Sequence, residues 1–265
     1  MVTDLTNPAL IDALAEVALE AGARIAALAG CRVAAKLDGS PVTIADQEAE
    51  EIILKGLTRL VPGLPVLAEE QAASGVFPRT TDKFVAVDPL DGTREFVAGR
   101  DEYTVNIALV DHGHPVAGVV YAPALGQLWW GAKQAETCTI DASGLRLSDA
   151  RERRFIKVRP RPSEGPTALV SRSHGEAAVD RWLDDHHVMR RVPLGSSLKF
   201  CRIAEGAADL TVRFTPINEW DVAAGHAVLA AAGGAVTRLD GSALVYGQAG
   251  HDFRIGPYLA RGAAI

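Results

Sequence analysis

The chain has 265 residues, 48% of them apolar and 23% charged, a composition that argues against disorder and predicts a protein able to bury its own core. The net charge of −6 argues against a binder of nucleic acid polymers, which carries a basic domain, and leaves room for a local basic pocket. Cys31, Cys138 and Cys201 form no CxxC pair, so a zinc ribbon or redox dithiol is not expected, and the sparse count fits a reducing compartment.

Apolar residues recur at helical steps from Pro8 to Leu28, and Asn7-Pro8 is a helix start signal. Asp12, Glu16 and Glu20 interrupt that run, no signal peptide or membrane span is expected, and the expected address is the cytoplasm. Lys36 to Val42 reads as a loop or hairpin around Asp38-Gly39. A second helix is predicted over Ile44–Leu60 with Thr43 as its N-cap. Phe84 to Val87 reads as a short strand ending in Asp88. Tyr103, Val105, Ile107 and Leu109 alternate with smaller or polar residues, as in a strand. Val116–Tyr121 and Gln127–Gly131 continue an antiparallel meander. The polar, Arg- and Pro-rich stretch from Asp149 to Gly165 marks the boundary between halves 1–150 and 151–265. Beyond it, strands at 168–170, 208–214 and 235–237 alternate with helices at 176–185, 197–204 and 221–232, an α/β pattern.

The chemistry concentrates at Asp88-Pro89-Leu90-Asp91-Gly92-Thr93. Pro89 stiffens the turn and Gly92 permits a close approach of backbone to ligand. A strand end of this kind can direct two carboxylates and the Leu90 carbonyl to one point, as hard divalent cations require. A helix starting near Thr93 would aim N–H groups at a phosphate. Taken singly, Asp88 and Asp91 also fit turn residues, Glu69-Glu70 a solvated helix start, Asp221 an N-cap, and Asp46 a capping box with Thr43.

Jointly, Glu69-Glu70, Asp88-Pro-Leu-Asp-Gly-Thr93 and Trp220-Asp-Val-Ala-Ala224 resemble the inositol monophosphatase superfamily of lithium-sensitive, magnesium-dependent phosphatases. Lys36-x-Asp-Gly-Ser-Pro-Val-Thr-x-Ala-Asp46, Thr93-Arg-Glu-Phe96, Tyr103-Thr-Val-Asn-Ile-Ala-Leu109, Gly118-Val-Val-Tyr-Ala-Pro123, Ser171-Arg-Ser-His174 and Gly195-Ser-Ser-Leu-Lys199 are similar to its CysQ-type 3′(2′),5′-bisphosphate nucleotidase branch. The resemblance implies a layered α-β-α-β-α sandwich with the site between its halves. It implies hydrolysis of adenosine 3′,5′-bisphosphate, a by-product of sulfate assimilation. It implies a first Mg²⁺ on Glu69, Asp88 and the Leu90 carbonyl, a second on Asp88, Asp91 and Asp221, and a third, weaker ion. Asp46 would pair with Thr93 and, with Glu69, prepare the attacking water. Asp91, Gly92, Thr93, Ser173, His174, Gly195, Ser196, Lys199, Glu219 and Asp221 would face the substrate, with Arg172 beside them. Monomer and homodimer both fit, as does peripheral contact with the inner membrane's cytoplasmic face.

Two segments depart from the branch pattern. Thr215-Pro-Ile-Asn-Glu-Trp-Asp221 stands where Gly-Pro-Thr-x-Glu-Trp-Asp is common, and Leu210-Thr-Val-Arg213 where a Tyr-Pro-Arg run is common. The alternatives are an inositol or sugar monophosphatase with the same metal site, a non-catalytic metal- or nucleotide-binding module, and a serine acylase using Ser196-x-x-Lys199. The last lacks the Lys-Thr-Gly and Ser-Asp-Asn partners.

Overall fold

Helix α1 (Pro8–Ala27) begins at its start signal, with the Asn7 side chain accepting from the Ala9 N–H at 3.0 Å and proline in the first turn. The computed structural model describes residues 4–30, 33–35, 41–79, 81–141, 146–173 and 175–263. Strands β1 (Val33–Ala35) and β2 (Pro41–Thr43) pair antiparallel, while Asp38-Gly39 between them lies outside the described residues. Helix α2 (Ile44–Leu60) is closed by a capping box between Thr43 and Asp46. The chain continues through β3 (Val66–Ala68), α3 (Glu69–Ala73), β4 (Lys83–Asp91), α4 (Thr93–Val97), β5 (Thr104–Asp111), β6 (His114–Ala122), β7 (Gln127–Gly131), β8 (Ala135–Thr139) and β9 (Arg151–Ile156). The second half holds β10 (Thr167–Ser171), α5 (Ala177–Asp185), β11 (Arg190–Leu194), α6 (Leu198–Ala204), β12 (Leu210–Arg213), β13 (Ile217–Asn218), α7 (Trp220–Ala231), β14 (Ala235–Arg238), β15 (Arg254–Ile255) and β16 (Tyr258–Arg261).

Among the described residues, β3 to β9 form a seven-stranded sheet in sequence order, antiparallel except for the parallel β3–β4 edge pair. A five-stranded sheet runs β11-β10-β12-β16-β14, with β10 parallel to both neighbours and β16 antiparallel to its own. Helices α1 and α2 cover one face of the first sheet through Val85, Val87, Val105, Ile107 and Leu109. Its other face, with Phe84, Ala86, Ala108, Val110 and Trp129, meets α6 and α7, which pack in turn on Val236, Tyr258 and Ala260 of the second sheet. Helix α5 closes the outside with Val179 and Leu183 on Ala168, Leu210 and Val212. The order of layers is the expected α-β-α-β-α sandwich.

The alternation in β5 has a cause other than one wet face. Thr104, Asn106, Ala108 and Val110 are buried as thoroughly as their neighbours, and the small residues turn toward the central helices. Helix α7 is apolar nearly all round because two sheets enclose it. It approaches so closely that a Cβ on Gly118 would stand 2.4 Å from the Ala224 carbonyl oxygen, and one on Gly131 2.9 Å from Val228 Cα. Strands β9 and β11 are edge strands rich in exposed arginine, and β11 carries Pro193, so neither shows a core pattern in sequence. Because β9 pairs with β8, the first sheet extends to Ile156, six residues past the division at 150.

The close contact of α7 gives a test of the packing. Gly118→Ala is expected to lower unfolding free energy by about 1–3 kcal/mol, the cost of added volume in a full core. The urea midpoint should fall at an unchanged slope, and a midpoint equal to wild type would refute the contact.

Candidate active site

Strand β4 loses register with β5 between Asp88 and Asp91, at the point where Pro89 has no N–H to give to the ladder. The Leu90 N–H turns back to Asp88 Oδ1 at 3.0 Å. Gly92 follows with φ 95°, and a Cβ there would lie 2.8 Å from the Glu102 carbonyl oxygen. Only glycine meets both demands. Helix α4 then starts at Thr93, as expected.

Three chain segments converge on Asp88. Glu69 opens α3, Asp88 ends the regular part of β4, and Asp221 lies in the first turn of α7. One carboxylate oxygen from each lies within 4.8 Å of the others. Buried Glu50 accepts the Glu70 and Gln71 N–H groups at 2.7 and 3.0 Å, fixing the start of α3 and with it Glu69. Asp221 Oδ2 accepts the Asn218 N–H at 3.1 Å. Asp88 is 1% exposed, and its Oδ2 is buried with no hydrogen-bond partner. Burial, followed by the charges of Glu69, Asp91 and Asp221, pushes the Asp88 carboxyl well above the usual range. Burial, then Asp91 and Glu69, pushes Asp221 up to about 8. An unpartnered buried carboxylate oxygen within an all-oxygen donor set fits a hard divalent cation, whose charge would offset this repulsion.

Asp91 is held from the opposite side. Its Oδ2 accepts Ser196 Oγ at 2.8 Å and the Ser197 N–H at 2.6 Å. Ser196 Oγ also lies 2.6 Å from Thr104 Oγ1. Ser197 Oγ donates to the Asp221 backbone carbonyl at 2.9 Å and accepts from Asn106 Nδ2 at 3.0 Å. Asp46 has two tasks. Its Oδ2 closes the capping box with Thr43 N and Oγ1, each at 2.7 Å, and its Oδ1 lies 3.0 Å from Thr93 Oγ1. The Thr93 hydroxyl also lies 3.1 Å from the Leu90 carbonyl oxygen.

A cleft of about 350 Å³ opens beside these groups, lined by Asp91, Gly92, Thr93, Gly195, Ser196 and Asp221 on one side. Arg94, Lys199, Arg213 and Arg254 line it as well, and among the described residues none of the four forms an ion pair with a carboxylate. Lys199 Nζ donates to the Ser196 carbonyl at 2.7 Å, and burial lowers its pKa to about 8. Arg213 Nε reaches the Thr215 carbonyl at 3.1 Å, and Arg254 reaches that of Pro216 at 3.3 Å.

Several substrate-facing expectations require correction. Glu219 is fully buried, and its two oxygens accept the Gly247 and Gln248 N–H groups at 2.6 and 2.9 Å, so it anchors a loop instead of facing the cleft. Arg172, placed beside the substrate-facing residues, is bound by both oxygens of Glu102, at 2.6 and 2.8 Å, which neutralises its charge. The Ser173 hydroxyl donates to Glu95, whereas Gly195 does line the cleft, with its N–H given to Glu102 at 2.7 Å. His174 lies outside the described residues. Glu50, Glu102, Asn106 and Arg254 escaped the sequence reading because each acts through partners distant in the chain or through a strand pairing unseen in sequence.

A model of the inositol monophosphatase family matches residues 7–256. The 3′(2′),5′-bisphosphate nucleotidase CysQ of Escherichia coli (strain K12) is 42% identical over 215 residues, covering 80% of this chain and 82% of its own. The histidinol-phosphatase of Mycobacterium tuberculosis (strain ATCC 25618 / H37Rv) is 35% identical over 239 residues, covering 89% and 88%. The crystal structure of CysQ from Bacteroides thetaiotaomicron, a bacterial member of the inositol monophosphatase family, superposes with a TM-score of 0.79 at 30% identity, covering 99% of this chain and 100% of that one. Matched by the family model over residues 7–256 and 42% identical to a relative over most of both chains, the chain belongs to the inositol monophosphatase family.

Proposed function

We propose that this protein is a Mg²⁺-dependent 3′(2′),5′-bisphosphate nucleotidase that hydrolyses adenosine 3′,5′-bisphosphate to AMP and phosphate. The observation that carries the reading is one cleft with an acidic cluster at one side and, among the described residues, four cations without carboxylate partners, Arg94, Lys199, Arg213 and Arg254, along its wall. Such a cleft suits a substrate with two separated anionic groups, one reacting and one bound. The similarity to CysQ nucleotidases over most of both chains supports the same substrate class. A role in sulfate assimilation or nucleotide recycling, and a cytoplasmic address, belong to this reading. So does the treatment of residues 1–150 and 151–265 as halves of one catalytic unit. No helix among the described residues is long and apolar enough to cross a membrane.

Glu69, Asp88 and the Leu90 carbonyl would hold one cation, and Asp88, Asp91 and Asp221 a second, with a third held more weakly. When bound, such ions lower the pKa of a water and offset charge on the departing oxygen. The Thr93 hydroxyl, held by Asp46, orients the water, and Glu69 accepts its proton. The water oxygen bonds to phosphorus in line as the P–O3′ bond breaks, and the released 3′ oxygen takes a proton from solvent. The Gly92 and Thr93 N–H groups receive the phosphoryl oxygens. Positioning and charge carry this chemistry, so no phosphoenzyme forms.

Phosphate release with Mg²⁺ should be strong from adenosine 3′,5′-bisphosphate and weak from inositol 1-phosphate and histidinol phosphate. Preference for either monoester would overturn the substrate assignment. EDTA should abolish turnover, and Asp88→Asn and Asp221→Asn should each lower kcat by about 10³-fold or more, the scale of removing a principal electrostatic group.

Arg254→Ala should raise KM for the bisphosphate by about tenfold, the loss of one charge-assisted contact, with little change in kcat. An unchanged KM would remove Arg254 from the wall.

The raised carboxyls set a pH dependence. A folded-state pKa above the unfolded value contributes stability below pH 4 that is lost as pH rises, so the metal-free cluster weakens the fold progressively toward pH 8. Cations bind the deprotonated form. The Tm increment given by 10 mM Mg²⁺, a concentration of about 10⁻² M chosen to favour loading, should therefore grow from pH 6 to pH 8. An increment that shrinks over this range would contradict the assignment.

A further inference from the structure

Glu102 lies between α4 and β5, in the half that carries the first sheet, yet its hydrogen bonds go to the other half. Oε2 accepts Arg172 Nε at 2.8 Å and the Gly195 N–H at 2.7 Å, and Oε1 accepts Arg172 Nη2 at 2.6 Å. Arg172 extends the connection, donating to the Pro193 carbonyl at 2.9 Å. One carboxylate thus gathers the ends of β10 and β11. Gly195 admits no side chain without crowding, since a Cβ would stand 3.1 Å from Glu102 Cβ and Oε2. The Arg172 guanidinium, and more weakly the Gly195 N–H, hold the Glu102 carboxyl below the usual range, so it stays charged at neutral pH.

The next residue explains why such a clamp is needed. Ser196 has φ 57°, a left-handed conformation that a residue with a Cβ adopts only when its surroundings impose it. That conformation brings Ser196 Oγ and the Ser197 N–H onto the same oxygen of Asp91. Without the Glu102 bond to Gly195, the segment is released at its N-terminal end, and Asp91 loses the fixed donors that orient it. The Glu102–Arg172 pair is partly exposed, at 19% and 34%, so its contribution to overall stability is small. Its effect falls on the site.

We propose that Glu102 is a positioning residue that, through Gly195–Ser197, fixes the orientation of Asp91 for binding a divalent cation. The inference rests on the reading of Asp91 as a cation ligand. The test is titration of the full chain with Mn²⁺, following the electron paramagnetic resonance of the free ion to count bound ions and their affinities, with Tm measured in parallel. Wild type should bind at least two ions. Glu102→Ala should weaken the Asp91-dependent ion by about tenfold, the usual scale for groups that orient ligands, while leaving the ion on Glu69 and Asp88 and the metal-free Tm nearly unchanged. Glu102→Gln keeps an acceptor for Gly195 and should weaken that ion only about threefold, a partial loss on the same scale. Titrations of Glu102→Ala that superpose on wild type would overturn the proposal, as would equal weakening of both ions. If Glu102→Ala does not fold, superposition of Glu102→Gln on wild type overturns it. A wild type that binds no Mn²⁺ would instead remove the cation reading, and the clamp's proposed purpose with it.

Discussion

The buried charge of Asp88 is the constraint around which the site is arranged. A carboxylate that is 1% exposed, with one oxygen unpartnered, sits beside Glu69, Asp91 and Asp221. Like charges about 4 Å apart repel by about 4 kcal/mol even at an effective dielectric of 20. A fold stabilised by its own contacts alone would not retain such a cluster, because protonation or an apolar replacement removes the cost. The repulsion becomes useful when a divalent cation shares the oxygens, since each added carboxylate then strengthens the attraction. Glu50 on the Glu70 and Gln71 N–H groups, and Asn218 on Asp221, hold the carboxylates in place against their mutual repulsion.

The five layers serve this arrangement by bringing distant segments to one level. Helix α7 fills the space between the sheets and delivers Asp221 at its N-terminal turn. Its depth depends on Gly118 and Gly131, which let its backbone approach β6 and β7 more closely than any side chain would allow. Glu219, just before the helix, ties that end to the loop at Gly247 and Gln248. Two glycines on that sheet face therefore help set the distance between Asp221 and Asp88. Core packing and site geometry are linked through a few ångströms of helix position.

This linkage decides what was legible in the sequence. Local rules recovered α1, α2 and the Asp88 turn, because an N-cap, a capping box and a Pro–Gly pair act within a few residues. The carboxylates at 69, 88 and 221 were legible through motifs lying next to regular elements. The cleft's cationic wall was only half legible. Lys199 stands in a motif, but Arg254 enters the cleft because β15 pairs with β13, opposite Asn218, and neither two-residue strand announces itself. Arg172 and Glu219 were misplaced for the same reason. A residue in a phosphatase motif reads as substrate-facing until its partners are known, and those partners, Glu102 and the Gly247–Gln248 amides, come from elsewhere in the chain.

The same geometry separates two chemistries that the Ser196-x-x-Lys199 spacing would allow. A serine nucleophile needs a base within reach of its hydroxyl. Lys199 Nζ instead donates to the backbone carbonyl of Ser196, leaving the ammonium turned toward the cleft as a cation. The Ser196 hydroxyl is engaged by Asp91 and Thr104 in the first half of the chain. Burial lowers the Lys199 pKa only to about 8, so the group remains largely charged at neutral pH and is suited to an anion. With the serine hydroxyl bound to a carboxylate and the lysine amine to a backbone carbonyl, the spacing alone no longer points to an acyl enzyme.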